Sequence, residues 1–457
     1  MRVLQAELTW WQGSLARDLL LGVTADGRFE ALEALRPDDT LQRLPGQLLL
    51  PGLVNAHSHA FQRVLRGRTE YAATGPGQDD FWSWRELMYR AAERLEPDTL
   101  HTVSRQAFVE MARAGITSVG EFHYVHHDPE GRPYADRLEL SRAVIEAARE
   151  VGLRIHLLRV AYARSGFEVA QNPRQRRFID PRPEDVLADV TALQGAYAGD
   201  PLVQVGLAPH SVRAVPREWL ATFAQAQASL SAVHMHVSEQ PAEIDACLRE
   251  TGLRPVELLA ELGLLTPRFT AVHGIHLSKA EVQLLGEAKA NVCACPTTEA
   301  NLGDGVIPAD QLLAAGAEVC LGSDSQARID LLEEARRLEE HLRLIRQQRA
   351  VLDAGGGKVE GLAARLLHAA TAAGSRALGE DVGATGVPAD GFTVDLHHPS
   401  LRGFNEASLL PTVIFGAPRE AIREVWVAGR RIVEQGRHPI EVQAADAFDA
   451  VVNRLFG

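Results

Sequence analysis

The chain has 457 residues, 46% of them hydrophobic and 23% charged, fractions that exclude global disorder and fibrous repeats. Sixty Asp and Glu stand against 47 Lys and Arg, a net charge of −13, which argues against nucleic acid or an anionic membrane surface as the main partner. A small acidic substrate remains compatible, because a few local Arg residues outvote a global field. At roughly 150 residues per domain, the length fits about three domains, or one large barrel with a smaller companion. The four cysteines, Cys247, Cys293, Cys295 and Cys320, form no Cys-x-x-Cys and read as buried thiols in a reducing compartment. The stretch Met1 to Glu7 has polar residues where a signal peptide needs an apolar core, and no run approaches about 18 apolar residues. A cytoplasmic protein with no membrane partner is expected.

The first fifty residues are β-rich: Leu8-Thr9-Trp10-Trp11, Leu19-Leu20-Leu21-Gly22-Val23 and Gln47-Leu48-Leu49-Leu50, divided by Gly, Asp and Pro turns. A long alternation of short apolar runs and helical stretches follows. Eight runs, at 52–57, 116–121, 154–160, 203–208, 232–236, 270–273, 290–293 and 319–324, predict a TIM-like (β/α)8 barrel. Leu331, Ala335, Leu338, Leu342 and Ile345 mark a barrel-covering helix over 331–352. Gly355-Gly356-Gly357 reads as a connector, with no Lys-Ser/Thr in P-loop spacing. The β texture returns in Gly391 to Leu396 and in Glu424 to Val433, a hairpin turning near Ala428-Gly429. The two ends are expected to pair. Residues 1–51 plus 385–457 then form a small composite β-sandwich domain, and 52–384 the hydrolase barrel.

The chemistry lies where His and Asp fall on those runs. His57-Ser58-His59 ends the first, His236 the fifth, His273 the sixth and Asp324 the eighth. In a barrel all strand C-termini open on one face, which hosts catalysis. Residues i and i+2 of a strand point the same way, so His57 and His59 can share a metal. Neutral imidazoles with a carboxylate suit Zn2+ or another divalent transition metal, with a position left for water. One His at a strand end is usually packing or surface; five such residues on four strand ends of one alternation are not.

His57-Ser58-His59 after Pro51-Gly52-Leu53-Val54-Asn55-Ala56, His236-Val237-Ser238-Glu239 and Gly322-Ser323-Asp324 resemble the amidohydrolase superfamily over nearly the whole chain. In its binuclear branch a carboxylated Lys on the fourth strand bridges two metals. The run from Val203 to His210 has no Lys. The resemblance therefore implies a mononuclear site, with His57, His59, His236 and Asp324 holding one Zn2+ per chain, or Fe2+ or another divalent metal. His59-Ala60-Phe61-Gln62-Arg63, the stretch from Phe81 to Tyr89, the stretch from Cys295 to Gly305 and Ser323-Asp324-Ser325 are similar to the branch that hydrolyses formimino acids. Purine and triazine relatives usually carry Pro-x-Ser-Asn after the seventh strand, where this chain has Pro296-Thr297-Thr298-Glu299. The implied reaction is hydrolysis of N-formimidoyl-L-glutamate to N-formyl-L-glutamate and ammonia.

The roles follow from chemistry. A bound zinc ion lowers the pKa of water to about 7, giving hydroxide that attacks the formimino carbon. Asp324 accepts the water proton, His273 orients the hydroxide and stabilises charge, and Glu239 carries a proton to the leaving nitrogen. A dicarboxylate substrate needs fixed cations. Arg85, in an aromatic setting in the first loop, and Arg213, after the fourth strand, are the candidates. Gln62, Tyr124 and His210 are expected polar contacts. His123 is ambiguous; His101, His126, His127, His156 and His234 read as structural. Cys293 and Cys295 read as packed thiols, and Asp79-Asp80 as a solvated pair. The rival readings are a deaminase or chlorohydrolase of heteroaromatic rings and a metal-free scaffold relative. A two-fold homodimer is expected on base rates.

Overall fold

The computed structural model of the protein describes residues 1–71, 81–380 and 387–457. The expected boundary between residues 384 and 385 lies outside them, as does Asp79-Asp80. Eight parallel strands form a ring: Leu53–Ser58, Ile116–His123, Arg154–Ala161, Val203–Pro209, Val233–Val237, Phe269–His273, Asn291–Ala294 and Glu318–Leu321. Each pairs with its successor in sequence, the arrangement that short right-handed βα connections enforce. Side chains on both faces are buried, because the interior lies on one side and helices on the other.

The ring closes at the first and last strands. Ser58 and Asp324 form a parallel bridge. The Asp324 N–H donates to the His57 carbonyl, and the His59 N–H to the Asp324 carbonyl, each at 3.0 Å. Gly322 permits this approach: a Cβ there would lie 2.8 Å from the Cβ and carbonyl oxygen of His57. The barrel seam thus sets His57, His59 and Asp324 against one another.

Strands from both chain ends make one nine-stranded sheet. Thr40–Pro51 sits at its centre, parallel to Arg2–Trp11 and antiparallel to Gly391–Asp395. Leu4, Leu21, Phe29, Leu44, Leu49 and Trp426 pack on one side of it. The hairpin of Ile422–Val427 and Arg430–Val433 turns at Ala428 and Gly429, with φ of 48° and 71°. Two consecutive left-handed residues give the tight turn whose twist suits a hairpin.

Two features differ from the sequence reading. Two helices, Glu406–Gly416 and Glu441–Phe456, interrupt the β texture of the last seventy residues. The second buries Ala444, Val451, Val452 and Leu455 against helix Pro97–Arg113; that spacing is helical rather than alternating. The helix expected over 331–352 spans Leu331–Arg346. Asp330 caps its start, accepting from the Leu332 and Glu333 amides at 3.0 Å. Gln347, at φ 53°, ends it, leaving Ile345 exposed in the last turn. All four cysteines are free and buried. Among the described residues no helix is long and apolar enough to cross a membrane.

Candidate active site

The C-terminal ends of the barrel strands bring three imidazoles together. His57 Nε2 lies 3.1 Å from His59 Nε2 and 3.2 Å from His236 Nε2. Asp324 Oδ1 lies 3.4 Å from His57 Nε2 and 3.3 Å from His59 Nε2. His59 Nδ1 meets the Phe122 carbonyl at 2.9 Å and His236 Nδ1 the His210 carbonyl at 3.1 Å. A carbonyl only accepts, so both Nδ1 atoms carry the proton and both Nε2 lone pairs point inward. Burial, chiefly, pushes His57 down to about 3, with His59 and His236 also below their ordinary value. The histidines are therefore neutral, and the Nε2 lone pairs of His59 and His236 face His57 Nε2, whose own Nδ1 is buried without a partner among the described residues. Such a donor set fits a divalent ion such as zinc, with Asp324 completing it.

The backbone is strained at the same strand ends. Ser238, His273 and Asp324 have φ of 53°, 72° and 47°, a left-handed conformation that costs a non-glycine residue about 1 kcal/mol or more. Strain at three strand ends around one barrel mouth is what aiming side chains at a common point requires.

His273 stands beside the cluster. Its Nδ1 donates to Glu299 Oε1 at 3.3 Å, and its Nε2 lies 3.6 Å from Glu239 Oε1 and 3.8 Å from Asp324 Oδ2. Burial disfavours its charge, but Glu239, Glu299 and Asp324 outweigh burial and raise His273 to about 10. Burial likewise works against ionised Asp324, yet the imidazoles of His57, His273 and His59 hold its carboxyl well below the usual carboxylate range. Glu239 goes the other way: burial pushes it up, against the pull of His273 and Arg213. Two carboxylates with opposed tendencies beside one charged imidazole are the pattern of acid–base work.

Above the cluster opens a cavity. His59, Gln62, Arg85, Tyr124, His210, Arg213, His236, Glu239, His273 and Asp324 all line it, with Phe81, Trp84, Met88, Tyr89, Tyr162 and Phe178 as aromatic and apolar walls. His57 lies deeper. Gln62 Nε2 donates to the Tyr124 hydroxyl at 2.8 Å. His210 packs edge-on to Tyr162, ring centroids 4.6 Å apart. Arg213 bonds Glu243 at 3.1 Å and Glu239 at 3.3 Å. Arg85 stacks on Trp82, 4.5 Å from its ring centroid. It makes no ion pair among the described residues, and its Nε is buried without a hydrogen-bond partner.

Several polar residues of the site were not singled out in the sequence. Glu299 orients His273. Glu243 fixes Arg213 and accepts from the Ser238 amide at 2.9 Å. Glu121 accepts from Ser58 Oγ at 2.6 Å and from the Ala60 amide at 2.7 Å, beneath His59; burial raises it to about 8. Gln175 donates to the Tyr89 and Tyr162 hydroxyls at 2.6 and 2.7 Å. Glu299 carried a signal, standing where ring-acting relatives have Asn; the others carried none. His126, His127 and His234 bond backbone carbonyls, and His101 and His156 pair with Glu150 and Glu380. His123 is buried with no partner for Nε2.

Comparison with known proteins agrees with this geometry. The amidohydrolase family profile matches residues 48–432. Formimidoylglutamate deiminase of Pseudomonas aeruginosa is 40% identical, over 96% of each chain. The crystal structure of an amidohydrolase from Brucella melitensis superposes with a TM-score of 0.89 at 35% identity, covering all of both chains. An adenosine deaminase from Xanthomonas campestris, solved with bound zinc, shares the fold with a TM-score of 0.82 at 23% identity, over 99% of this chain and 98% of that one.

Proposed function

The chain belongs to the amidohydrolase family, and from that premise we propose that it hydrolyses N-formimidoyl-L-glutamate to N-formyl-L-glutamate and ammonia. The observation that carries the substrate assignment is a cation-seeking histidine cluster sharing one cavity with two guanidinium groups. The relative named for this reaction matches over nearly the full length.

In this reading His57, His59, His236 and Asp324 hold one divalent ion, zinc by donor chemistry and Fe2+ as the alternative. Bound there, the ion supplies Lewis acidity that makes a water nucleophilic near neutral pH. Asp324 accepts the proton of that water. His273, oriented by Glu299, presents its Nε2 proton to the charge that develops as the formimino carbon becomes tetrahedral. Glu239, its carboxyl raised by burial, passes a proton to the departing nitrogen so that it leaves as ammonia. Arg85 takes one substrate carboxylate: among the described residues its Nε is buried with no hydrogen-bond partner, so an arriving carboxylate supplies one. Arg213, already tied to Glu243 and Glu239, couples the second carboxylate to the catalytic acid. Tyr124, Gln62 and His210 complete the polar contacts. A diffusible dicarboxylate fits a cytoplasmic enzyme, and a two-fold homodimer is the expected assembly.

Ammonia release from N-formimidoyl-L-glutamate, the formimino-aspartate homologue and guanine by zinc-loaded protein tests the assignment. Selective turnover of the glutamate compound is expected. Turnover of guanine alone would favour the ring-deaminase reading and remove the roles of Arg85 and Arg213. Silence on all three would refute the substrate.

A further inference from the structure

We propose that the barrel mouth contains a second divalent-cation site, built from His273, Cys295 and Asp324, and that an ion bound there inhibits the enzyme. It rests on the reading above, in which His57, His59, His236 and Asp324 hold a first ion.

Four observations converge. A nitrogen of His273, the Cys295 thiol and an Asp324 oxygen lie within 4.8 Å of one another, all buried. The two Asp324 oxygens divide between the clusters: Oδ1 faces His57 and His59, while Oδ2 lies 3.8 Å from His273 Nε2. A carboxylate so placed can bridge two cations. Glu299 organises both other ligands: its Oε1 accepts from His273 Nδ1 at 3.3 Å and from the Cys295 amide at 2.8 Å. A carboxylate behind an imidazole is the arrangement that orients a metal-ligating histidine. Finally, Glu239 Oε1, 3.6 Å from His273 Nε2, offers a further oxygen ligand.

A thiolate, an imidazole and a carboxylate select zinc or cadmium over magnesium or calcium. Binding releases two protons to solvent, that of the Cys295 thiol and that of His273 Nε2, and the freed Nε2 lone pair goes to the ion. His273 then has no proton to offer the substrate, and Asp324 Oδ2 no free lone pair for the water proton. Turnover stops without any change at the Arg end of the cavity.

The test begins with holoenzyme carrying one zinc per chain, titrated with Cd2+. One further equivalent is expected to bind, with a near-ultraviolet thiolate-to-cadmium absorption and a parallel loss of ammonia release. Cys295→Ser and Cys295→Ala, each verified as folded by thermal melting, should keep one-zinc turnover and lose both the absorption and the inhibitory equivalent. Thiolate absorption persisting in both variants, or inhibition by a second equivalent without it, would overturn the site. Protein that binds no first equivalent would sink the zinc reading itself, an outcome distinct from a first equivalent without a second.

Discussion

The two ends of the barrel hold the same kinds of buried group and use them in opposite ways. At the floor, Glu380 Oε1 accepts from His156 Nε2 at 2.8 Å and from Ser118 Oγ at 3.2 Å. Arg154 Nη2 reaches both Asp390 oxygens at 3.2 and 3.3 Å, and Asp390 accepts the Ala428 amide at 2.7 Å. Each donor there meets an acceptor, and the bonds tie barrel to sheet. At the mouth, Nε2 faces Nε2, and the Arg85 guanidinium meets no anion among the described residues. A concentration of buried histidines and carboxylates therefore does not by itself mark a site; at the mouth these groups converge on one cavity with their pairing incomplete.

The sharpest way to break this contrast is Asp324→Asn. Asn tolerates the left-handed φ of this position, so melting should hold or rise while kcat falls by about a thousandfold or more. Ammonia release and a thermal melt on one sample decide it; a large drop in melting temperature would make the mouth structural. The floor should behave in reverse. Glu380→Gln breaks a buried pair and should cost about 3 kcal/mol in denaturant unfolding, with turnover of the folded enzyme unchanged.

That loss has a pH signature. Burial opposes the charge of Glu380, but His156 and Arg154 lower it from an ordinary 4.5 to about 2. A carboxyl depressed on folding stabilises fully above its unfolded pKa, and the stabilisation disappears as pH falls through the folded value. The gap between wild type and Glu380→Gln should thus be constant near neutrality and narrow from about pH 4.5 downward; a gap independent of pH would contradict the assignment.

Smaller effects sharpen the comparison inside the mouth. Arg85→Met keeps packing on Trp82 but removes the fork. KM for the glutamate compound should rise about thirtyfold, roughly 2 kcal/mol, with kcat little changed. Steady-state kinetics would contradict this if kcat fell instead. Tyr124→Phe removes one hydroxyl and should cost about 1 kcal/mol in kcat/KM; an unchanged kcat/KM would place that hydroxyl off the substrate.

What the sequence disclosed follows from period. The barrel strands are short apolar runs, and His57, His59, His236, His273 and Asp324 stand at their ends, so local pattern located them. Carboxylates that orient those residues follow no period. Glu299 meets His273 from 26 residues away, Glu243 meets Arg213 from 30, and Glu121 meets Ser58 from 63. Their partners are set by the barrel's closure. The helix Glu441–Phe456 was hidden differently: its buried positions are few, and the β texture beside it dominated.

The sheet shared by both chain ends imposes an order on biosynthesis. Leu48 pairs with Val394 and Leu50 with Phe392, across the whole barrel sequence. At ribosomal rates that delay is on the order of tens of seconds. Throughout it the apolar edge of Thr40–Pro51 lacks one neighbour, an exposed template for aggregation. Nascent chains should need shielding there until translation has delivered Gly391–Asp395, and a truncation before that strand should accumulate as insoluble protein even with the barrel complete.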